Sequence, residues 1–146
     1  MFRILLTSFE PFGGHAANSS HHVGEELARR PPPGVALDWL SLPVVAGECD
    51  RLAWERVVQS RPTLVLALGQ AAGSERVRVE DRAVNLHDFP IPDNAGRQPR
   101  LEWIVPGAPG AYRTTAALER VLPRLRERRL PGGLSFSAGR YVCKHL

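Results

Sequence analysis

The chain has 146 residues, of which 43% are hydrophobic and 23% charged, and its formal charge is +4. This is the composition of one ordinary globular unit, and residues 1–146 read as a single domain with one core. No window approaches the roughly 20 apolar residues of a membrane helix, and the apolar start at residues 1–6 is too short for a signal peptide, so the expectation is a cytoplasmic protein with no membrane partner.

The first apolar run, "FRILLTS" at residues 2–8, predicts a buried strand and leads into the loop "FEPFGGHAANSS". Asn18, Ser19 or Ser20 can cap a following helix with apolar positions at Val23, Leu27 and Ala28, and the run of prolines at 31–33 stops it. "ALDWLSLPV" predicts a second strand, and residues 46–58 carry Cys49, Leu52, Ala53 and Val57 at helical spacing. "TLVLAL" at 63–68 is a continuous apolar run of the kind covered on both faces of a sheet. Alternation at Val77 and Val79 predicts an exposed or edge strand, and "HDFPIPDNAGRQPR" a long turn-rich loop. Residues 116–129 predict a helix that Pro123 kinks or splits, and Pro131-Gly132-Gly133 leads to a last strand.

Strands and helices therefore alternate, which argues for an α/β fold: an α/β/α sandwich with a mostly parallel, twisted central sheet. In such sheets ligands bind at the carboxyl ends of the strands. The loops there are residues 9–18, 69–75 and 137–143.

The arginine-rich "RLRERR" at 124–129 reads as the solvated face of the last helix. No groove-reading or aromatic-platform motif accompanies it, so no nucleic-acid partner is expected. Two cysteines, Cys49 and Cys143, make neither a disulfide framework nor a paired metal motif, and no metal is expected. "SFEPFGGH" follows the first strand as a phosphate loop would, yet it has neither G-x-G-x-x-G nor G-x-x-x-x-G-K-[ST]. Its Phe9 and Phe12 suit a flat apolar ligand, or plain loop packing. "SAGRYVC" places Cys143 after a tight glycine turn, near a helix start that lowers a thiol pKa. A small buried core residue is the other reading. A thiol nucleophile needs a base and a group to orient it. His145 lies two residues on, about 200° around a helix axis. His21 and His22 belong to a helix's first turn and read as exposed, while His87 falls in a loop. Glu80 is either a surface charge on an alternating strand or the carboxylate of a site.

Taken in order, "LLTSFEPFGG", "LPV", "GQAAG", the glutamate before "AVN", "PDNAGRQP" and "SAGRYVC" resemble pyroglutamyl peptidase I, the pyrrolidone-carboxylate peptidase family of cysteine peptidases, over residues 3–146. The resemblance implies removal of N-terminal pyroglutamate from peptides by thiol catalysis, without metal or cofactor, in an oligomer of two or four chains. It implies Cys143 as nucleophile, Glu80 as the triad carboxylate and Asp93 as a supporting acid. Phe9, Phe12, Gln70 and Val142 then surround the pyrrolidone ring. There are departures. The family's histidine lies further along the chain than residue 146, and arginines common in the family are replaced by Ser74 and by Pro90-Ile91-Pro92. Lys144 stands where asparagine is usual. These departures predict a peptidase impaired by the missing histidine, with a non-catalytic pyroglutamate-binding relative or a truncated fragment as the alternative.

Overall fold

The computed structural model describes residues 1–142. Its centre is a three-stranded parallel sheet in the order β2-β1-β3, from β1 (Phe2–Phe9), β2 (Val35–Leu42) and β3 (Leu64–Ala67). Phe2 pairs with Val35 and Phe9 with Leu42, and Ile4 pairs with Leu64. Because neighbours on a parallel ladder point the same way, Leu6, Ser8, Trp39 and Ser41 share one face, while Leu5, Thr7, Phe9, Leu40 and Leu42 share the other.

Each face takes one helix. Helix α1 (Ser19–Arg29) lies over the first: Trp39 Nε1 donates to Ser8 Oγ at 2.9 Å, and His21 Nδ1 meets Ser41 Oγ at 3.0 Å. The capping expectation holds, with Asn18 accepting from the Ser20 N–H. The expected apolar stripe holds in part: Leu27 and Ala28 are half-buried, but Val23 is exposed, and Ser20 and Gly24 are the buried positions. A Cβ on Gly24 would lie 2.4 Å from the Trp39 indole nitrogen, so the indole takes the place of a side chain there. His21, expected in solvent, instead packs edge-on against Trp39. Helix α2 (Glu48–Ser60) covers the second face, where Cys49 and Ala53 join Phe9, Leu42 and Val44 in the core.

Beyond β3 the elements are short. Strand β4 (Val77–Glu80) pairs in parallel with β9 (Gly132–Ser135). Strand β5 (Arg82–Val84) pairs antiparallel with β8 (Ala111–Arg113), and β6 (Leu86–His87) with β7 (Glu102–Trp103). Helix α3 (Leu118–Glu127) runs unbroken through Pro123, and none of its residues is buried. The arginine run is solvated as expected, with Arg124 paired to Glu127 at 2.9 Å on the surface.

One expectation for the sheet fails. The 63–68 run is not covered on both faces: Val65 is 45% and Leu66 42% exposed. Among the described residues β3 is a sheet edge, hydrogen bonded to β1 alone. No described helix is long and apolar enough to cross a membrane.

Candidate active site

The carboxyl ends of β1 and β2 open into the 9–18 loop and the segment before α2, and both end on one buried aromatic cluster. Phe9, the last residue of β1, is fully buried beside Leu42 and Val44. It belongs to the floor of the cluster. Phe12 stands at its partly buried rim, its ring 5.4 Å from that of Tyr141. Tyr141 in turn meets Phe89 edge-on at 4.9 Å, and Phe89 stacks on His87 at 5.1 Å. Val142 is fully buried in the same core. The residues just ahead of Cys143 are thus anchored among aromatics. Cys143, Lys144 and His145 lie outside the described residues.

Polar ties hold this cluster's walls. The Tyr141 hydroxyl donates to the Pro92 carbonyl at 3.0 Å, and the Asp88 N–H donates to the Arg140 carbonyl at 3.0 Å. Asn94 Nδ2 reaches the Pro11 carbonyl at 3.0 Å, joining the 9–18 loop to the 86–97 segment. Asp93 is buried, and its carboxylate accepts three backbone N–H groups: Ala46 at 3.0 Å, Ala95 at 3.0 Å and Arg97 at 2.9 Å. With those oxygens occupied by fixed donors, Asp93 organises loops. Gln70 accepts from the Ser19 N–H at 2.7 Å, so it serves as a second cap on α1 from the loop after β3. Asn18 adds a donation to the Glu10 carbonyl at 2.9 Å.

Glu80 ends β4, and its register partner is Ser135, the last residue of β9. Its Oε2 is buried without a hydrogen-bond partner among the described residues. A buried carboxylate oxygen in that state is unfavourable unless a donor arrives. The next residue, Asp81, is buried and held below the usual carboxylate range, first by the hydrogen bond from Arg113 and then by that from Arg82, against the opposing effect of burial. His87 is pushed below its usual pKa by burial, with Arg97 adding to the effect and Asp50 and Glu102 opposing it. No group of three or more potential metal ligands occurs among the described residues.

Sequence reading picked out Phe9, Phe12, Gln70, Glu80, Asp93 and Val142. The structure gathers Phe9, Phe12 and Val142 at one cluster, ties Asp93 to its wall and sets Gln70 against α1. Phe89, Tyr141 and Asp81 went unread. Phe89 and Tyr141 sit in irregular segments where no periodicity marks a buried face, and Asp81 looks in sequence like one more charge in "EDR".

The family model of pyroglutamyl peptidases matches residues 2–146. The pyrrolidone-carboxylate peptidase of Streptomyces coelicolor is 40% identical over 146 residues, which cover 100% of this chain and 68% of that protein. That of Vibrio vulnificus is 39% identical, with 100% and 69% covered. Among solved structures, pyroglutamyl peptidase I of Bacillus amyloliquefaciens superposes with a TM-score of 0.94 at 32% identity, over 100% of this chain and 71% of that one. Pyrrolidone carboxyl peptidase of Pyrococcus furiosus gives 0.93 at 34% identity, over 98% and 69%.

Proposed function

The chain belongs to the pyroglutamyl peptidase family of cysteine peptidases, and from that premise we propose that it removes N-terminal pyroglutamate from peptides with Cys143 as nucleophile and Glu80 as the carboxylate that orients its base. The observation that carries the assignment is the parallel β4–β9 pair. It sets Glu80 at the carboxyl end of one strand beside the carboxyl end of the strand that precedes Cys143 in the chain. Glu80 Oε2, buried and without a described partner, suits a carboxylate waiting for an imidazole N–H.

The chemistry follows from the residue types. The Cys143 thiol gives its proton to the imidazole base that the family resemblance implies further along the chain than residue 146, and attacks the pyroglutamyl carbonyl carbon. The backbone N–H of Cys143 stabilises the oxyanion. The carbon–nitrogen bond breaks, the amine leaves with the proton, and a thioester remains. Water then attacks that thioester, releases pyroglutamate and restores the thiol. The ring itself is small, neutral and flat. Phe12, at the partly buried rim of the cluster that contains Phe9 and Val142, offers it an apolar face, and Gln70 is the amide assigned to its lactam. Asp93 supports this cluster by holding the 93–97 turn against Ala46.

We place the chain in a reducing compartment, the cytoplasm, where a buried Cys49 thiol donating to Asp50 at 3.5 Å persists as a thiol. We also propose an assembly of two or four chains, in which the exposed apolar residues Val65, Leu66, Leu134 and Phe136 are a surface available for contact. Light scattering tests that assembly, and a monomer at micromolar concentration would count against it.

The activity is tested by release of aminomethylcoumarin from its pyroglutamyl amide. The expected result is weak turnover by the parent chain, impaired because the family's histidine is not among residues 1–146, and none by Cys143→Ala. Stabilisation by pyroglutamate without turnover would mean binding alone, and equal turnover by both chains would remove Cys143 as nucleophile.

A further inference from the structure

Asp81 is the single residue between β4 and β5, and four hydrogen bonds meet on it. Its N–H donates to the Ser135 carbonyl on β9 at 2.8 Å, and its carbonyl accepts from the Thr114 N–H beyond β8 at 2.8 Å. Its carboxylate divides between two guanidiniums: Oδ1 accepts from Arg113 at 3.0 Å and Oδ2 from Arg82 at 3.2 Å. One residue, 4% exposed, therefore ties the strand pair that carries Glu80 to the pair β5–β8, its N–H on β9 and its carboxylate on the two arginines.

The register explains why a carboxylate stands there. Arg82 and Arg113 face each other directly across the β5–β8 ladder. Like charges in that position repel and push the strands apart. Both heads sit largely in water, yet their repulsion acts at the corner where the chain turns out of Glu80. Asp81 places one oxygen on each guanidinium and turns a repulsive pair into a three-residue bridge. Its depressed pKa agrees with that arrangement, since both arginines favour the charged carboxylate.

We infer that Asp81 is a positioning residue for Glu80: the Arg82–Asp81–Arg113 bridge fixes the corner after β4, and with it the reach of the Glu80 carboxylate relative to the strand that precedes Cys143. The inference rests on the reading of Glu80 given above. It needs no contact between Asp81 and substrate, because Asp81 is directed at the arginines. Its effect is therefore on the chemical step and not on binding.

The test is a double-mutant cycle on the full chain, with kcat and KM for the pyroglutamyl coumarin amide and a thermal melt for every variant. Asp81→Asn preserves the shape and removes the charge. It is expected to lower kcat about tenfold, as small misplacements of a reacting group do, with KM within about twofold of the parent. Arg113→Gln changes a side chain that is 72% exposed, folds more surely, and is expected to lower kcat about threefold in the same sense. Asp81→Asn placed on Glu80→Gln is expected to cause no further loss, since a residue acting through Glu80 has nothing left to position. Asp81→Glu is expected to recover most of the lost rate.

Parental kcat in folded Asp81→Asn or in Arg113→Gln overturns the inference. So does a loss that multiplies with that of Glu80→Gln, which would mark Asp81 as a support of the fold alone. So does a raised KM at unchanged kcat. Glu80→Gln at the parental rate, or a parent without turnover, overturns the reading of the site beneath it, and this result differs from all the others.

Discussion

The two halves of the molecule are held together by different forces. In residues 1–60, β1 and β2 lie between two helices, and the apolar Leu5, Leu6, Phe9, Leu42, Val44 and Cys49 are fully buried, beside the polar Thr7, Ser8 and Asn18. From residue 64 onward α3 buries nothing, β8 is exposed throughout, and Val77, Leu134 and Phe136 face solvent. Phe89, Tyr141 and Val142 of that half pack into the core of the first, and the rest is ordered by polar ties: Asp81 on two arginines, Asn85 on the 105–110 loop, Asp93 on three amides. The comparison teaches where each kind of function can sit. The apolar cluster proposed to meet a neutral ring draws on both, with Phe9 and Phe12 from the first and Phe89, Tyr141 and Val142 from the second. A carboxylate whose reach must be set is placed in the half where charged ties decide geometry.

Substitutions sharpen that contrast. The largest effect is expected in the packed half, where Phe9→Ala should lower stability by about 3–5 kcal/mol through lost burial and a cavity. Urea unfolding measures it, and a loss under about 1 kcal/mol would show that this core is loose. In the polar half, Asn85 donates to the carbonyls of Val105 and Pro109 and accepts from the Val105 N–H. Asn85→Ala leaves those groups unpaired and should lower stability by about 1–3 kcal/mol. An effect as large as that of Phe9→Ala would erase the distinction between the halves.

The smallest expected effect is one of pH and comes from His87, buried against Phe89. Burial lowers its pKa from 6.5 in the fold, so the unfolded chain binds the proton more readily. The stability it contributes is complete above pH 6.5 and is lost as the pH falls from there through its lowered folded pKa. Melts of the parent should fall over that range, and His87→Phe should flatten the fall. An unchanged slope in the variant would assign the acid sensitivity to other groups.

How much of this was readable in sequence follows the same division. The strands and helices of residues 1–60 announce themselves through long apolar runs and Asn18. The two- and three-residue strands β6, β7 and β8 are too short for any period to register. The exposure of Val65 and Leu66 could not be read, because an apolar run reports composition and not what packs on it. Site residues were legible as types: Phe12 as an apolar wall, Glu80 as a carboxylate, Cys143 as a thiol after a glycine turn. Their partners were not. The amides on Asp93 come from residues 46, 95 and 97, and only the closed fold brings them together.

The central claim is that the acyl group passes through Cys143. The direct measurement is intact mass, followed by peptide mapping, of the chain quenched in acid during turnover of a pyroglutamyl ester. The account predicts an increment of one pyroglutamyl group on the peptide containing Cys143, absent in Cys143→Ala. An increment on the peptide containing Cys49, or turnover with no acylated chain at any time, would contradict it.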